Sequence, residues 1–212
     1  MTNAMSTPGG AWAEMLRGNA RFVDGTPRHP RQDVERREEL AGGQAPHAIL
    51  FGCSDSRLAA EIIFDRGLGD LFVIRNAGQV VSDSVIGSIE YGVEVLGAPL
   101  LVVLGHDSCG AVAAAIAQAE PDATPLPPHI RDLIAPIAPA VSATPIVDGH
   151  RDPAAVGRAH LRDTVAELLA ESELISDAVA AGRLGVVGAN YRLLEGRVVP
   201  DVLLGLPTDS QD

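Results

Sequence analysis

Five residues of this chain have the types and spacing for metal chemistry: Cys53, Asp55 and Arg57 in one stretch, His106 and Cys109 in another. Two thiolates and one imidazole form a zinc set of the catalytic kind, which leaves a fourth position for water. The His106-x-x-Cys109 pair adds to this, because closely spaced ligand pairs recur at zinc sites. Cys53 and Cys109 are the only cysteines in the sequence. A disulfide is therefore a second reading, and two buried apolar thiols beside a surface histidine a third. Cys109 precedes an Ala-rich helical stretch, and the unpaired N–H groups of a helix start lower a cysteine pKa. Cys53 precedes another expected helix, with Ser54, Asp55 and Ser56 available to cap it.

Such residues need elements that bring them together. Residues 47–52, HAILFG, read as a buried strand, and residues 99–104, PLLVVL, as a continuous aliphatic one. Further strands are expected over 71–74 and 185–189, and on a sheet edge over 197–203. Helical spacing covers 11–23, 33–40, 58–64, 85–96, 111–119 and one long amphipathic stretch, 154–181. The proline-rich segment 121–153 reads as a loop-rich excursion with one short helix. Strands alternating with helices predict an α/β fold: a mostly parallel central sheet flanked by helices, with an N-terminal helical arm. One domain is expected over 1–212, with the arm at 1–45 and the core at 46–205. In such a sheet the loops after the strands face a common crevice, and 53–57 and 106–109 are both such loops.

Composition narrows the partners. A length of 212 residues suits one domain with a full core. A formal net charge of -12 repels phosphate backbones and anionic membranes, which argues against nucleic acid and membrane surfaces as partners. Aromatic residues, at 3%, are too few for base stacking and leave the core to aliphatic side chains. The longest apolar run, 98–104, is strand-sized, and the first residues show no basic segment followed by an apolar one. A soluble cytoplasmic protein is the expectation.

At the candidate metal residues the sequence resembles the β-carbonic anhydrases. CSDSR at 53–57 and GHDSCG at 105–110 match the two motifs of that family, at a family-like separation. GNARF at 18–22, GQ at 43–44, DLFVIRNAG at 70–78 and SIEYGV at 88–93 add to the likeness, which is strong over about residues 10–120. The resemblance implies one Zn2+ per subunit on Cys53, His106 and Cys109, and a catalytic Asp55–Arg57 pair. It implies a CO2/bicarbonate pocket with Gln44, Phe72, Tyr91 and Gly110, where Gln44 reaches across a homodimer interface, and assembly of dimers into tetramers. Ala77 stands where many relatives carry Val. Leu50 and Leu58 stand where some bacterial members carry the Trp and Val of a second, inhibitory bicarbonate site, so that site is not expected here.

The implied activity is reversible hydration of CO2 by a zinc-bound hydroxide. Two thiolates and a neutral imidazole cancel the metal's 2+ charge, so this site should acidify water less than one with three neutral histidines. Asp55 would orient the metal-bound water while Arg57 holds it ionised; a turned Asp55 would close the fourth position instead. Hydrolysis of COS or CS2 at the same site is an alternative, and a non-catalytic zinc protein another. His29, His47, His129, His150 and His160 offer no evident proton shuttle and read as surface or loop residues. The N-terminal helix with Trp12 and Phe22 reads as the arm that packs on a second subunit.

Overall fold

The computed structural model describes residues 4–206. Its strands are β1 (Ala48–Cys53), β2 (Leu71–Asn76), β3 (Leu100–His106), β4 (Ile146–Val147), β5 (His150–Arg151), β6 (Gly185–Arg192) and β7 (Arg197–Leu204). Its helices are α1 (Pro8–Val23), α2 (Val34–Glu39), α3 (Ala60–Ile63), α4 (Asp83–Glu90), α5 (Gly110–Gln118), α6 (Pro128–Ile134), α7 (Ala138–Ala143), α8 (Pro153–Glu171) and α9 (Glu173–Ala180). Five strands make the central sheet, ordered β2-β1-β3-β6-β7. All neighbours pair in parallel except β6 and β7, which form an antiparallel edge. Pro200 lies on that edge strand, where its missing N–H costs no central ladder bond.

The aliphatic runs explain the layers. β1 and β3 are buried at every position, as strands covered on both faces must be. Alternate side chains feed two separate cores. Leu50, Val102 and Leu104 meet Trp12 of α1, Val112 of α5 and Val141 of α7 on one face. Ile49, Phe51, Leu101 and Val103 meet Ile89 of α4, Leu161 and Leu168 of α8 and Ile175 of α9 on the other. Among the described residues no helix is long and apolar enough to cross a membrane.

Four local expectations are corrected. The long helix over 154–181 is two, because Ser172 breaks the run and its Oγ accepts from the Ile175 N–H at 3.2 Å, capping α9. The proline-rich excursion holds α6, a 3₁₀ turn at Ala135–Ile137, α7 and the β4–β5 hairpin. Pro128, Pro136 and Pro139 sit in the first turns of those helices, where no N–H is needed, so they start helices rather than break them. The helix after Cys53 is reduced to α3, which begins only at Ala60 and has no side-chain cap. The helix through 85–96 gives way after Glu90 to a π turn over Tyr91–Val95, with Leu96 N–H bonding the Tyr91 carbonyl.

The N-terminal helix, read as an arm for a second subunit, packs on its own chain's sheet. Ala11, Trp12 and Met15 are buried in this chain's own core, since α1 lays its apolar face on the sheet. Asn19 locks it there: Nδ2 donates to the carbonyls of Ile63 (3.1 Å) and Gly196 (2.8 Å), and Oδ1 accepts from Val198 N–H (2.9 Å). Buried Asp65 then accepts from the Arg28 and His29 amides, and Asp70 from the Arg31 guanidinium, fixing the chain before α2. By contrast α2 has no buried residue. Asn19→Ala would strand three backbone groups, two of them fully buried, and is expected to cost about 3 kcal/mol, read as a lowered denaturant midpoint at unchanged slope.

Candidate active site

Both ligand-bearing stretches begin where a central strand ends. Cys53 is the last residue of β1 and His106 the last of β3, and the parallel register sets Gly52 against Leu104. Cys109 follows through a turn that holds Ser108 at φ +52° and places Cys109 as the N-cap of α5. The ligand atoms of Cys53, His106 and Cys109 all lie within 4.8 Å of one another, and all three residues are buried. Both cysteines are free thiols, so the disulfide reading does not hold in this structure.

The donor set fits a metal ion. His106 Nδ1 donates to the Asp107 carbonyl at 2.8 Å, which leaves Nε2 as the lone-pair nitrogen. That nitrogen is buried and, among the described residues, has no conventional hydrogen-bond partner. The Cys109 thiol, and after it His106 and the Gly78 N–H, holds Cys53 far below the ordinary thiol range, while the hydrogen bond to Cys53 together with burial pushes Cys109 up. A dication would relieve that conflict and hold both as thiolates. The amides of Ala111 and Val112 at the start of α5 also favour a charged Cys109 sulfur. The corresponding helix expected after Cys53 is missing, and the Gly78 N–H, 3.3 Å from Sγ, takes its place.

Asp55 stands outside the three-residue cluster with both oxygens on Arg57. Arg57 Nε reaches Oδ1 at 2.8 Å and Nη2 reaches Oδ2 at 2.7 Å, a bidentate pair, while the Arg57 amide bonds Oδ1 at 3.0 Å. The guanidinium, opposed by partial burial, holds the Asp55 carboxyl well below the usual carboxylate range. Arg57 Nη2 also donates to the Ser108 carbonyl at 3.2 Å and so ties the two ligand loops together. Gly110 opens α5 with free space above its α-carbon.

Gln44, Phe72 and Tyr91 lie elsewhere. Phe72 pairs with Ile49 and its ring stands 6.0 Å from that of Tyr91, while a Cβ on Gly92 would strike Ile49 and meet Phe72. Ile49 is four residues before Cys53 on β1, ~13 Å at about 3.3 Å per residue. Gln44 precedes β1 and lines an open cleft of about 650 Å³ with Arg31, Arg36 and His47. Within one chain these three residues thus lie toward the opposite end of the strand from Cys53.

Two groups that sequence reasoning passed over also serve the site. Arg75 of β2 donates to the carbonyls of Cys53 (2.9 Å) and Asp55 (2.7 Å), holding the loop that follows β1. Its signal was an arginine at the end of an aliphatic run, inside a stretch already noted for its likeness. Asp107 pins the other loop, with Oδ1 accepting from Leu193 N–H at 3.0 Å. His160, read as a surface or loop residue, is instead buried in α8.

Known proteins are similar to this chain. The carbonic anhydrase family model matches residues 48–198. Carbonic anhydrase 2 of Mycobacterium tuberculosis is 50% identical over 198 residues, 92% of this chain and 93% of that protein. The carbonic anhydrase of Mycolicibacterium smegmatis is 46% identical over 199 residues, 91% of this chain and 93% of that protein. Among solved structures, the Coccomyxa β-carbonic anhydrase in complex with acetazolamide is similar at a TM-score of 0.69 and 25% identity, over 87% of this chain and 83% of that one. One of two tetrameric β-carbonic anhydrases from Sordaria macrospora gives 0.66 and 26%, over 90% and 96%. With identity of this level over nine-tenths of its length, on a fold that carries the buried Cys–His–Cys cluster, this chain belongs to the β-carbonic anhydrases, the carbonate dehydratases.

Proposed function

We propose that the chain catalyses the zinc-dependent, reversible hydration of CO2 to bicarbonate and a proton, with one zinc ion per subunit. The observation that carries this reading is a buried Cys53–His106–Cys109 cluster with an ionised Asp55 locked on Arg57 beside it. Zinc, held by Cys53 Sγ, Cys109 Sγ and His106 Nε2, would supply a Lewis acid that makes water nucleophilic near neutral pH. Asp55 accepts a hydrogen bond from the attacking water and so aims its lone pair. Arg57 keeps Asp55 charged and turned away from the sulfurs. The open space above Gly110 admits the small, uncharged substrate.

A homodimer would complete the site. Supporting this reading, β2 is an unpaired sheet edge, and the apolar side chains Val34, Ile62, Leu68, Tyr91 and Val95 are exposed, three of them by more than half. Gln44, Phe72 and Tyr91 would then wall the neighbour's metal cluster rather than their own. Sedimentation is expected to give a dimer or a multiple of it, with specific activity falling on dilution below the dissociation constant; a stable, fully active monomer would contradict the pairing.

Two substitutions test the metal site directly. Cys109→Ser is expected to purify without zinc by metal analysis. Asp55→Ala should keep its zinc and lose about 100-fold in kcat/KM, a cost typical of a lost orienting group. Retained activity in Asp55→Ala would remove the proposed role.

The pH dependence follows from charge. A metal on three neutral histidines, the familiar carbonic anhydrase case, lowers a water pKa to about 7. Two thiolates neutralise the ion here, so kcat/KM is expected to rise from about pH 7 to 9; a flat stopped-flow profile would count against it. Asp55 adds no inflection in that window. Its folded pKa is depressed, so its contribution is present above the unfolded value of about 3.9 and is lost only as the pH falls below that.

A further inference from the structure

His160 is 3% exposed and lies on α8, away from both ligand loops in sequence. Its Nε2 is 2.8 Å from the carbonyl of Gly78, to which it donates. Nδ1 is buried without a partner among the described residues, so the ring carries its proton on Nε2. The amide of that same Gly78 donates to Cys53 Sγ at 3.3 Å. One residue therefore receives His160 on its carbonyl and serves a metal ligand with its amide.

The loop around Gly78 is built to hold that geometry. Asn76 closes it from within, Oδ1 accepting from Val80 N–H at 2.9 Å and Nδ2 donating to the Val80 carbonyl at 2.7 Å. Gly78 has φ +84°, and a Cβ there would stand 2.8 Å from Ala111 Cβ and 3.2 Å from Ile137 Cδ1. The loop is thus wedged against α5, whose first amides face Cys109, and the Asn76 bonds fix its two ends but not its apex. His160 fixes the apex.

We infer that His160 is a positioning residue of the metal site, holding the Gly78 amide on the Cys53 thiolate. An N–H···S bond draws charge from the sulfur and fixes the direction in which its remaining lone pairs point, so it tunes how strongly Cys53 donates to a metal. The inference rests on the metal site of the proposed function, but its readout is the metal–sulfur bond rather than turnover.

The test uses full-length protein loaded with Co2+ in place of zinc. His160→Leu is expected to shift the near-ultraviolet thiolate-to-cobalt absorption band and to weaken metal retention against a chelator by about 10- to 100-fold. His160→Gln, whose amide N–H reaches the position of Nε2, is expected to restore both toward the wild type. A wild-type band and affinity in His160→Leu, or a His160→Gln variant as impaired as His160→Leu, would overturn the proposal. Should His160→Leu not fold, nitrogen-15 spectra of the histidines in the wild-type protein decide: Nε2–H on His160 supports the assignment, and Nδ1–H overturns it. If the wild type fails to hydrate CO2 while these spectral changes appear, the proposed activity falls and the positioning role stands.

Discussion

The parallel pairing of β1 with β3 is the constraint on which the metal cluster depends. Their register sets Gly52 against Leu104, so each strand delivers a ligand at nearly the same height, Cys53 from one and His106 from the other. Both strands are buried on both faces, and a slip of one residue would send every core side chain to the wrong side of the sheet. Core packing thereby holds the two ligands in register, and only Cys109 needs a local device, the turn through Ser108.

Around that frame the sulfurs and the imidazole are oriented mostly by main-chain groups. The Gly78 amide meets Cys53, the Asp107 carbonyl meets His106, and the first amides of α5 meet Cys109. Side chains act one step further out: Arg75 on the Cys53 and Asp55 carbonyls, Arg57 on Asp55 and on the Ser108 carbonyl, Asp107 on the Leu193 amide. Such a shell leaves the cluster little freedom to rearrange, because a peptide group moves only with its strand or loop.

The sequence made the central elements readable for physical reasons. Aliphatic runs such as 99–104 have few alternatives to a buried parallel strand, and the residues that end them fall at one rim of the sheet. What stayed hidden depends on tertiary contact. A lone histidine inside an amphipathic stretch carries no mark of burial, so His160 was indistinguishable from a surface residue. Proline suggests loops until its position within a helix's first turn is known, which is why the excursion reads as one short helix where the chain forms both α6 and α7. Trp12 suggested an arm packed on a second subunit because the sequence does not say which sheet an apolar helix face will find. Likewise Phe72 and Tyr91 sat in one motif-rich region with the ligands, yet strand direction sends them to the far end of β1.

That separation along β1 has a genetic consequence. Under the proposed pairing each copy lends its Gln44, Phe72 and Tyr91 to a neighbour and borrows the same three in return, so ownership of an active site is divided between two chains. A copy damaged at Cys53 still has a sound wall to lend, and a copy damaged at Gln44 still has a sound metal cluster. Mixed in one dimer, two inactive alleles would rebuild a single working site. Complementation between alleles would here arise from the two ends of one six-residue strand.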